Sequence, residues 1–319
     1  MKEKKYAPVI IPTLCRFEHF RDCLESLSKC TWAEKTDVYI GLDYPAKETH
    51  WDGYKKIKEY LKKDKTFWGF NSLFVVEREH NYGFGPQGNA RTLIKEVLKK
   101  YDRIIVSEDD NIFSPNFLVF MNRGLEKFKD DESVLALNGY RHYYSIKYHD
   151  NTFFRQNVDF SAWGYGIWKD RLDSIYNKEM IYFQKNWSIR NFFRIRRDNG
   201  NNRARDFFYY AKKAPRTMYD CPLSVYMYLE NMNVIVPAEK SLVRNMGFDG
   251  SGLNCKQLKN GIFESQPIST ANDFEFVGTG YEFYNKNRKI YRKSSRGRIS
   301  TIRLFLSMIK IILKTIKFE

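Results

Sequence analysis

The sequence predicts an α/β fold with a mostly parallel central sheet. Apolar runs and amphipathic segments alternate through the first 140 residues, as is typical of parallel strands joined by helices. The chain has 319 residues, of which 43% are hydrophobic and 17% aromatic, so it can bury a large core. One apolar run ends in three consecutive acids, Glu108, Asp109 and Asp110, and ligands bind in such sheets at the carboxyl ends of strands.

Each predicted strand of the first half is followed by a helix, except the last. The apolar run at 7–12 precedes a segment with apolar residues at helical spacing. Ser114 is predicted to cap the fourth helix, with Pro115 in its first turn. Further strands are predicted at 37–43, 73–79, 103–109 and 134–139, and helices at 17–27, 51–63, 88–100 and 114–128.

Because parallel strands end at one edge of a sheet, we expect Thr13, Asp43 and the three acids to line a single cleft. The pattern loosens after residue 140, where a helix beginning at Asp220 and a strand at 233–237 are the clearest elements. We therefore predict one domain at 1–280, with a regular first half at 1–140 and a less regular second half at 141–280. A basic linker and an amphipathic tail follow at 281–319.

Composition limits the partners and the compartment. The chain has 54 basic and 38 acidic residues, a formal charge of +16 and a pI of about 9.4, which favours anionic partners. Five scattered cysteines without a C-x-x-C pair predict a reducing compartment and no zinc site. We see no secretory signal and no apolar run of about 18 residues, so no spanning helix is expected.

The acidic triplet predicts a metal site. Adjacent carboxylates repel one another and resist burial, so a cation is expected to join them. Mg²⁺ and Mn²⁺ prefer carboxylate, water and phosphate oxygens and often take only one or two protein carboxylates. A cation held by Asp110 and a diphosphate would satisfy both groups. The alternative is a solvated acidic turn that caps the next helix.

Several motifs in order resemble one enzyme family. They are "PVIIPTLCR", "GLDYP", "REHNYGFGPQGNARTLI", "IIVSEDDNIFSPNFLVFMNRGLEKF", "WGYGIW" and "YDCPLSVYMYLENMNVIVPAEKSLVRNMGFDGSG". Together they resemble GT-A-fold glycosyltransferases of the family-2 type and of the N-acetylglucosaminyltransferase I type, which carries an E-D-D form of the D-x-D motif. The resemblance spans roughly residues 7–255, and it implies that 1–140 is the nucleotide-sugar-binding half of the domain and 141–280 the acceptor-binding half. It implies a Rossmann-like nucleotide-diphospho-sugar transferase fold and an inverting, metal-dependent sugar transfer with Mn²⁺ or Mg²⁺ as cofactor.

The resemblance also implies a donor site. The loop after the first strand would hold the base and the diphosphate of the nucleotide, and Asp43 would also contact the base. The glycine-containing loop ahead of the third helix would approach the nucleotide through its backbone. Asp110 would bind the metal. Taken alone, the glycine loop could equally be a plain turn, Arg16 a solvated cation and Asp43 a turn former. The implied donor-binding residues are Pro12, Thr13, Arg16, Asp43, Asn81, Gly83, Asn89, Glu108 and Asp109.

Asp220 is the candidate catalytic base. In the resembling family, an acid that begins a helix after an aromatic residue deprotonates the acceptor hydroxyl, and the donor sugar is inverted. A general base must lie within hydrogen-bond reach of that hydroxyl. Asp220 could also be only a helix N-cap, since it precedes Cys-Pro, and the two roles are compatible. Glu230 is a weaker candidate, late in the same helix.

The segment "SAWGYGIW" is expected to shape the acceptor and sugar pocket. Trp163 and Tyr165 offer flat apolar faces to a sugar ring, and Gly164 and Gly166 leave room for it; an ordinary aromatic core is the alternative. "GFDGSGLNC" resembles the closing loop of the family. Asn254 stands where many relatives carry a His, so Asp110, diphosphate oxygens and water would hold the metal alone.

The tail predicts membrane attachment. Its cations fall on one helical face, with apolar residues mostly opposite, so 299–319 is expected to lie on an anionic membrane surface. A helix docked on the protein itself or on a partner is the alternative. We expect a cytoplasmic protein attached peripherally to the inner face of the cytoplasmic membrane, in surface polysaccharide or glycoconjugate synthesis. It would use a UDP-sugar donor and a glycan or lipid-linked glycan acceptor.

Other functions are less consistent with the sequence. A nucleotidyltransferase would carry a glycine-rich, basic phosphate loop near the first strand, and "IPTLCRFEH" has no glycine. A non-enzymatic basic protein that binds nucleic acid or membrane would explain the charge, but no nucleic-acid motif is present. A catalytically dead transferase-like scaffold would bind donor without turnover. We therefore expect no nucleic-acid partner.

Overall fold

A computed structural model describes residues 6–63, 65–142, 152–178, 181–213, 218–252, 263–282 and 299–316. The strands are β1 (Val9–Thr13), β2 (Asp37–Leu42), β3 (Ser72–Glu77), β4 (Arg103–Val106), β5 (Asn111–Phe113), β6 (Val134–Asn138), β7 (Phe153–Gln156), β8 (Tyr165–Trp168), β9 (Asn233–Pro237), β10 (Val243–Asn245) and β11 (Tyr281–Glu282). The helices are α1 (Phe17–Ser28), α2 (Trp51–Tyr60), α3 (Asn89–Val97), α4 (Phe117–Lys127), α5 (Lys169–Lys178), α6 (Tyr182–Lys185), α7 (Ile189–Lys212), α8 (Asp220–Leu229) and α9 (Thr301–Ile316), with short 3₁₀ turns at Ala33–Lys35, Glu48–His50 and Lys65–Trp68.

The described strands form a nine-stranded sheet and a two-stranded ribbon. The sheet has the order β11-β7-β9-β6-β8-β4-β1-β2-β3, and β5 pairs with β10 in the ribbon. Strands β3, β2, β1 and β4 run parallel, as do β6 with β9 and β7 with β11. Strand β8 is antiparallel to β4 and β6, and β7 is antiparallel to β9. The predicted α/β fold with a mostly parallel central sheet is therefore confirmed.

The central strands are buried on both faces. In β1, Val9 and Ile11 pack into the core beneath α1, α2 and α4, whereas Ile10 packs into the core beneath α3, α5, α7 and α8. Strand β4 repeats this alternation, with Ile105 on the first face and Ile104 on the second. Side chains of successive strand residues point to opposite faces, so a continuous apolar run is what a strand covered by helices on both sides requires.

The predicted start of the fourth helix was wrong. Helix α4 begins at Phe117, three residues later than predicted, because residues 111–113 form β5. Ser114 is not its cap. Its backbone N–H donates to the carbonyl of Leu242 at 2.9 Å and its hydroxyl donates to Asn116 at 2.5 Å. Ser114 thus extends the ribbon between β5 and the chain near β10.

The tail forms a helix that is docked on the protein. Helix α9 packs against α7, and Leu304 is fully buried there. Asn201 of α7 donates to the carbonyl of Ile299 at 2.8 Å, which fixes the start of the helix. Among the described residues, no helix is long and apolar enough to cross a membrane.

Some predictions fall outside the described residues. These include Asn254 and most of the basic linker, at 283–298. The division of the domain at residue 140 stays a prediction. Strands from both halves join the same sheet, because β8 of the second half lies between β4 and β6 of the first.

Candidate active site

Three predicted site segments meet at one edge of the sheet. Thr13, the last residue of β1, pairs with Leu42 of β2, and the backbone N–H of Asp43 donates to the carbonyl of Thr13 at 2.9 Å. On the other side of β1, Ile10 pairs with Val106 of β4, directly ahead of the acidic triplet. The structure thus brings Thr13, Asp43 and the acids together at this edge; that they line one ligand-binding cleft stays a prediction. Pro12 lies in β1, partly exposed.

Arg16 joins two of the three acids. Its guanidinium donates through one Nη to Asp109, and its other Nη lies 2.8 Å from Oδ2 of Asp110. The hydroxyl of Thr13 donates to the second oxygen of Asp109 at 2.8 Å. Both oxygens of Asp109 are therefore held by the loop that connects β1 to α1. The short sequence from Thr13 to Arg16 places a hydroxyl and a cation against the end of β4.

The residues after β10 close over Asp110 from the opposite side. Asn245 pairs with Asn111 in the β5–β10 ribbon, and its amide donates to Asp110 at 2.6 Å. The amide oxygen of Asn245 accepts from the backbone N–H of Gly247 at 2.9 Å. A Cβ at Gly247 would overlap the Asp110 carboxylate, so this close approach requires glycine. His19 of α1 lies 3.2 Å from the carbonyl of Met246.

The acids outnumber the cation that accompanies them. Burial, and then the negative charges of Asp110, Asp220 and Asp109, raise the pKa of Glu108 well above its ordinary value. Burial also raises the pKa of Asp110, although Arg16 and Asn245 partly offset this. Burial alone would lower the pKa of Arg16, but the charges of Asp109 and Asp110 raise it. The cluster therefore favours uptake of a further positive charge.

The carboxylates of Asp110 and Glu108 are suitable ligands for a hard divalent cation. No group of three or more His, Cys, Asp or Glu side chains in the described part of the chain is arranged to hold a metal ion. Hard cations such as Mg²⁺ are, however, usually held by one or two carboxylates together with phosphate oxygens and water. Asp110 offers a buried carboxylate and Glu108, two residues earlier, a half-buried one, and the charge of both is incompletely balanced, which suits that type of site.

Asp43 organises the loop that contains Asn81 and Gly83. Its carboxylate accepts from the backbone N–H groups of Tyr82 at 2.8 Å, Gly83 at 2.9 Å and Tyr44 at 2.9 Å. The amide of Asn81 donates to the carbonyl of Tyr44 at 2.6 Å. Gly83 has a φ of 57°, in the left-handed region. Asp43, Asn81 and Gly83 thus lie together, and the buried carboxylate is largely occupied with shaping the loop.

Asn89 anchors the next helix on the sheet. Its amide donates to the carbonyl of Gly41 at 2.6 Å, and its oxygen accepts from Nε of Arg78 at 3.0 Å. Arg78 is itself buried and pairs with Glu96 at 3.0 Å. Asn89 is therefore buried between α3 and β2, and its contacts stabilise the start of the helix. A role in direct donor binding stays a prediction.

Asp220 reaches the same edge from the second half of the chain. Strand β8 is antiparallel to β4, with Tyr165 opposite Val106, so the residues just before β8 lie beside the acids. One of them, Ala162, donates its backbone N–H to the Asp220 carboxylate at 2.8 Å. The charge of Asp220 is close enough to contribute to the raised pKa of Glu108. Glu230, by contrast, follows the other end of α8, where it pairs with Lys178.

The aromatic segment divides into an open and a buried part. Trp163 is half-buried, with its ring 4.5 Å from that of Tyr140 and 5.5 Å from that of Phe248. Tyr165 is buried, and its ring contacts Phe160 at 5.1 Å. The space beside the two glycines is filled by protein: Val243 and Phe117 next to Gly164, and Leu125 and Met121 next to Gly166. Of the four residues, only Trp163 is partly exposed, and its contact with a sugar stays a prediction.

Three residues at the site were not found from the sequence: Asn245, Arg78 and His19. Asn245 binds Asp110 across 135 residues of chain, and a short polar residue in a three-residue strand gives no periodic signal. In the sequence, Arg78 follows a strand and would be taken for a solvated cation, whereas the structure shows it buried and hydrogen-bonded to Asn89. The signal that could have found Asn245 is the N-x-G spacing to Gly247.

Comparison with known proteins gives weak structural matches. No protein-family model matches the chain, and no curated protein matches it. Residues 1–349 of S. aureus TarS are 13% identical over 74% of this chain and 59% of that chain, with a TM-score of 0.40. The same TarS segment in complex with UDP-GlcNAc gives 12% identity, 74% and 57% coverage and a TM-score of 0.37.

The mannosyltransferase PcManGT from Pyrobaculum calidifontis, in complex with GDP-Man and Mn²⁺, is 12% identical over 72% of this chain and 70% of that chain, with a TM-score of 0.39. This chain covers 59% of the TarS segment, which is less than two thirds of its length.

Proposed function

We propose that the protein is a glycosyltransferase of the GT-A type that moves a sugar from a nucleoside diphosphate sugar to a hydroxyl acceptor, with inversion at the anomeric carbon. The observation that carries this proposal is the buried acid cluster at the carboxyl edge of β1 and β4, whose charge Arg16 balances only in part. A divalent cation would supply the missing positive charge, and the same cation would stabilise the negative charge of a diphosphate leaving group.

The donor would be held by the strand-end residues. A bound Mn²⁺ or Mg²⁺, held by Asp110, supplies Lewis-acid stabilisation of the leaving diphosphate. Arg16 is a second cation at the same place and would bind a phosphate oxygen through its planar guanidinium. Glu108 and Asp109 are proposed to contact the donor sugar and the ribose. The loop from Asn81 to Gly83 is proposed to border the base.

Asp220 would act as the general base. The oxygen of the acceptor hydroxyl forms a bond to the anomeric carbon, the bond from that carbon to the diphosphate oxygen breaks, and the hydroxyl proton passes to the Asp220 carboxylate. Trp163 offers an apolar face to the acceptor or donor sugar. Asp220 and Glu108 influence each other electrostatically, which supports a role of Asp220 beside the donor.

The donor and acceptor are proposed on the resemblance of the motifs. A UDP-sugar is the first donor to test, and the acceptor is proposed to be a glycan or lipid-linked glycan used for surface polysaccharide or glycoconjugate synthesis. Because such acceptors are often membrane-bound, we also propose that the protein attaches peripherally to the inner face of the cytoplasmic membrane through α9.

A screen of nucleotide sugars tests the proposal. We expect the purified protein to release a nucleoside diphosphate from at least one nucleotide sugar when Mn²⁺ is present, and much less after chelation. Asp110→Asn should weaken donor binding. Asp102→Asn, at the exposed opposite end of β4, is the matched control and should behave as the wild type. Lack of turnover of every nucleotide sugar with either metal would overturn the proposal, as would identical behaviour of the two variants.

A further inference from the structure

Helix α9 has two apolar stripes: one packs against the core, and the other is exposed. Leu304, Met308 and Ile311 pack against the core, at positions i, i+4 and i+7. A second set of apolar side chains occurs at the same spacing on the other side of the helix, between 52% and 74% exposed: Ile302, Leu306, Ile309 and Leu313. A helix that is apolar on a second face usually meets another apolar phase there.

The first half of α7 carries an arginine cluster beside this helix. A surface groove with a volume of about 750 Å³ is lined by Arg190, Phe193, Arg194, Arg196, Arg197, Asn201 and Thr301. Thr301 is the first residue of α9, and its hydroxyl accepts from the guanidinium of Arg196 at 3.0 Å. The groove and the start of α9 therefore form one continuous surface, which we name the α7–α9 face (residues 189–197 and the exposed side of α9).

Ion pairs among the described residues leave most of the groove's positive charge unbalanced. Within the described ranges, Arg190, Arg194 and Arg196 form no ion pair with a carboxylate. Arg197 pairs with Asp198 at 2.8 Å, yet its side chain remains 71% exposed. Guanidinium groups bind phosphate oxygens in a bidentate manner. The groove therefore has the chemistry to recognise a phosphate group from solution.

Apolar side chains are interleaved with these arginines. Ile189 and Phe193 of α7 are exposed beside the groove, and Arg303 and Lys310 are exposed on α9 next to its open apolar stripe. Exposed cations together with exposed apolar side chains are typical of surfaces that lie in a membrane interface. A nucleic acid would match the arginines but would leave the apolar stripe uncovered.

We propose that the α7–α9 face docks on an anionic lipid membrane, with the groove of α7 binding lipid phosphate head groups. The arginines meet the head groups, and the open stripe of α9 enters the boundary between head groups and acyl chains. This inference rests on the peripheral attachment proposed above and adds a separate head-group site on α7, outside the tail. It does not depend on sugar transfer.

Sedimentation with lipid vesicles tests the inference. The full chain is mixed with vesicles of phosphatidylcholine alone or with phosphatidylglycerol added. We expect the wild type to sediment with the anionic vesicles and not with the neutral ones. The double variant Arg190→Gln/Arg194→Gln should bind anionic vesicles about tenfold more weakly or worse, since each basic residue near the surface contributes to attachment. Leu306→Gln/Ile309→Gln should also lose binding.

The matched control is Lys99→Gln/Lys100→Gln, which removes the same charge from exposed positions after α3 and should bind as the wild type. Circular dichroism of each variant checks that it is folded. If the arginine variant and the control bind equally well while the α9 variant fails, the head-group site is wrong and attachment through α9 stands. If the wild type ignores anionic vesicles, both are wrong, whatever its donor turnover.

Size-exclusion chromatography with light scattering supplies the remaining outcome. A wild-type dimer that becomes monomeric in Leu306→Gln/Ile309→Gln would show that a second copy covers the open stripe, and this would overturn the membrane proposal. We expect a monomer in both cases.

Discussion

At the scale of the residue, Asp220 combines backbone strain with a held carboxylate. Its φ is 27°, in a region that costs a non-glycine residue about 1–3 kcal/mol. The backbone N–H of Ala162 fixes the carboxylate, and the hydroxyl of Ser224 donates to the Asp220 carbonyl at 2.7 Å. Such strain persists where surrounding contacts over-determine a conformation, and it concentrates at functional sites. We infer that the strain orients the carboxylate of Asp220.

The variant Asp220→Asn tests this role. Asparagine keeps the oxygen that accepts from Ala162 but cannot take a proton, so we expect sugar transfer to fall by about 100-fold or more while the affinity for nucleoside diphosphate is unchanged. Transfer rates and calorimetric binding measure the two effects separately. Glu230→Gln, at the other end of the same helix, is the control and should transfer at the wild-type rate. Wild-type transfer by Asp220→Asn would remove Asp220 from the mechanism.

At the scale of the element, helix α2 supports the loop that carries Arg16. Gly53 of α2 lies so close to the backbone of Cys15 that a Cβ at Gly53 would overlap the Cys15 carbonyl. Because the obstacle is backbone, it cannot move aside as a flexible side chain would. The packing of α2 on this loop therefore helps to set the position of Arg16, one residue later, against Asp109 and Asp110.

The variant Gly53→Ala should show this support. In an exposed helix the change would stabilise the protein by about 0.5–1 kcal/mol, but the overlap with Cys15 should reverse the sign and cost about 1–3 kcal/mol. The affinity for nucleoside diphosphate should fall as well, because Arg16 is displaced. Urea unfolding and calorimetry measure both. Lys56→Ala, on the exposed side of α2, serves as the control. A more stable Gly53→Ala protein with wild-type affinity would contradict this account.

The elements of the first half were predictable because their signals are local. The apolar run of β1 and the spacing of Phe20, Leu24 and Leu27 in α1 are properties of short windows. Strands β5 and β10 were not predictable, since each has three residues and owes its conformation to a partner about 130 residues away. Asn245, which binds Asp110, was missed for the same reason.

The site divides in the same way. The acidic triplet, Thr13 and Asp43 could be placed at one edge from strand order alone. The packing of α4 against Gly166 could not be predicted. A glycine leaves space beside the backbone, and the sequence does not tell whether a ligand or a helix fills that space. Helix α9 was foreseen, but its docking on α7 depends on contacts with Asn201 and Arg196 that amphipathic spacing does not encode.

At the scale of the whole molecule, one sheet positions both parts of the proposed chemistry. Strand β4 ends at the acids, and β8 beside it begins next to the contact with Asp220. Most side chains of the central strands β1, β4, β6 and β8 are buried between the two helical layers, which helps to hold the edge in place, as a preorganised site requires. The chain as a whole has a net charge of +16, although carboxylates are concentrated at this edge of the sheet. The overall positive charge is expected to attract anionic donors.

The central claim is that a cation ties the acids at the end of β4 to a diphosphate. Crystals soaked with Mn²⁺ and UDP test this most directly, through the anomalous signal of manganese. We expect a manganese peak within about 2.5 Å of an Asp110 oxygen and of a diphosphate oxygen, with Arg16 turned from Asp110 toward the phosphate. A diphosphate bound elsewhere, with no manganese at Asp110 and Arg16 still joined to both aspartates, would contradict the claim.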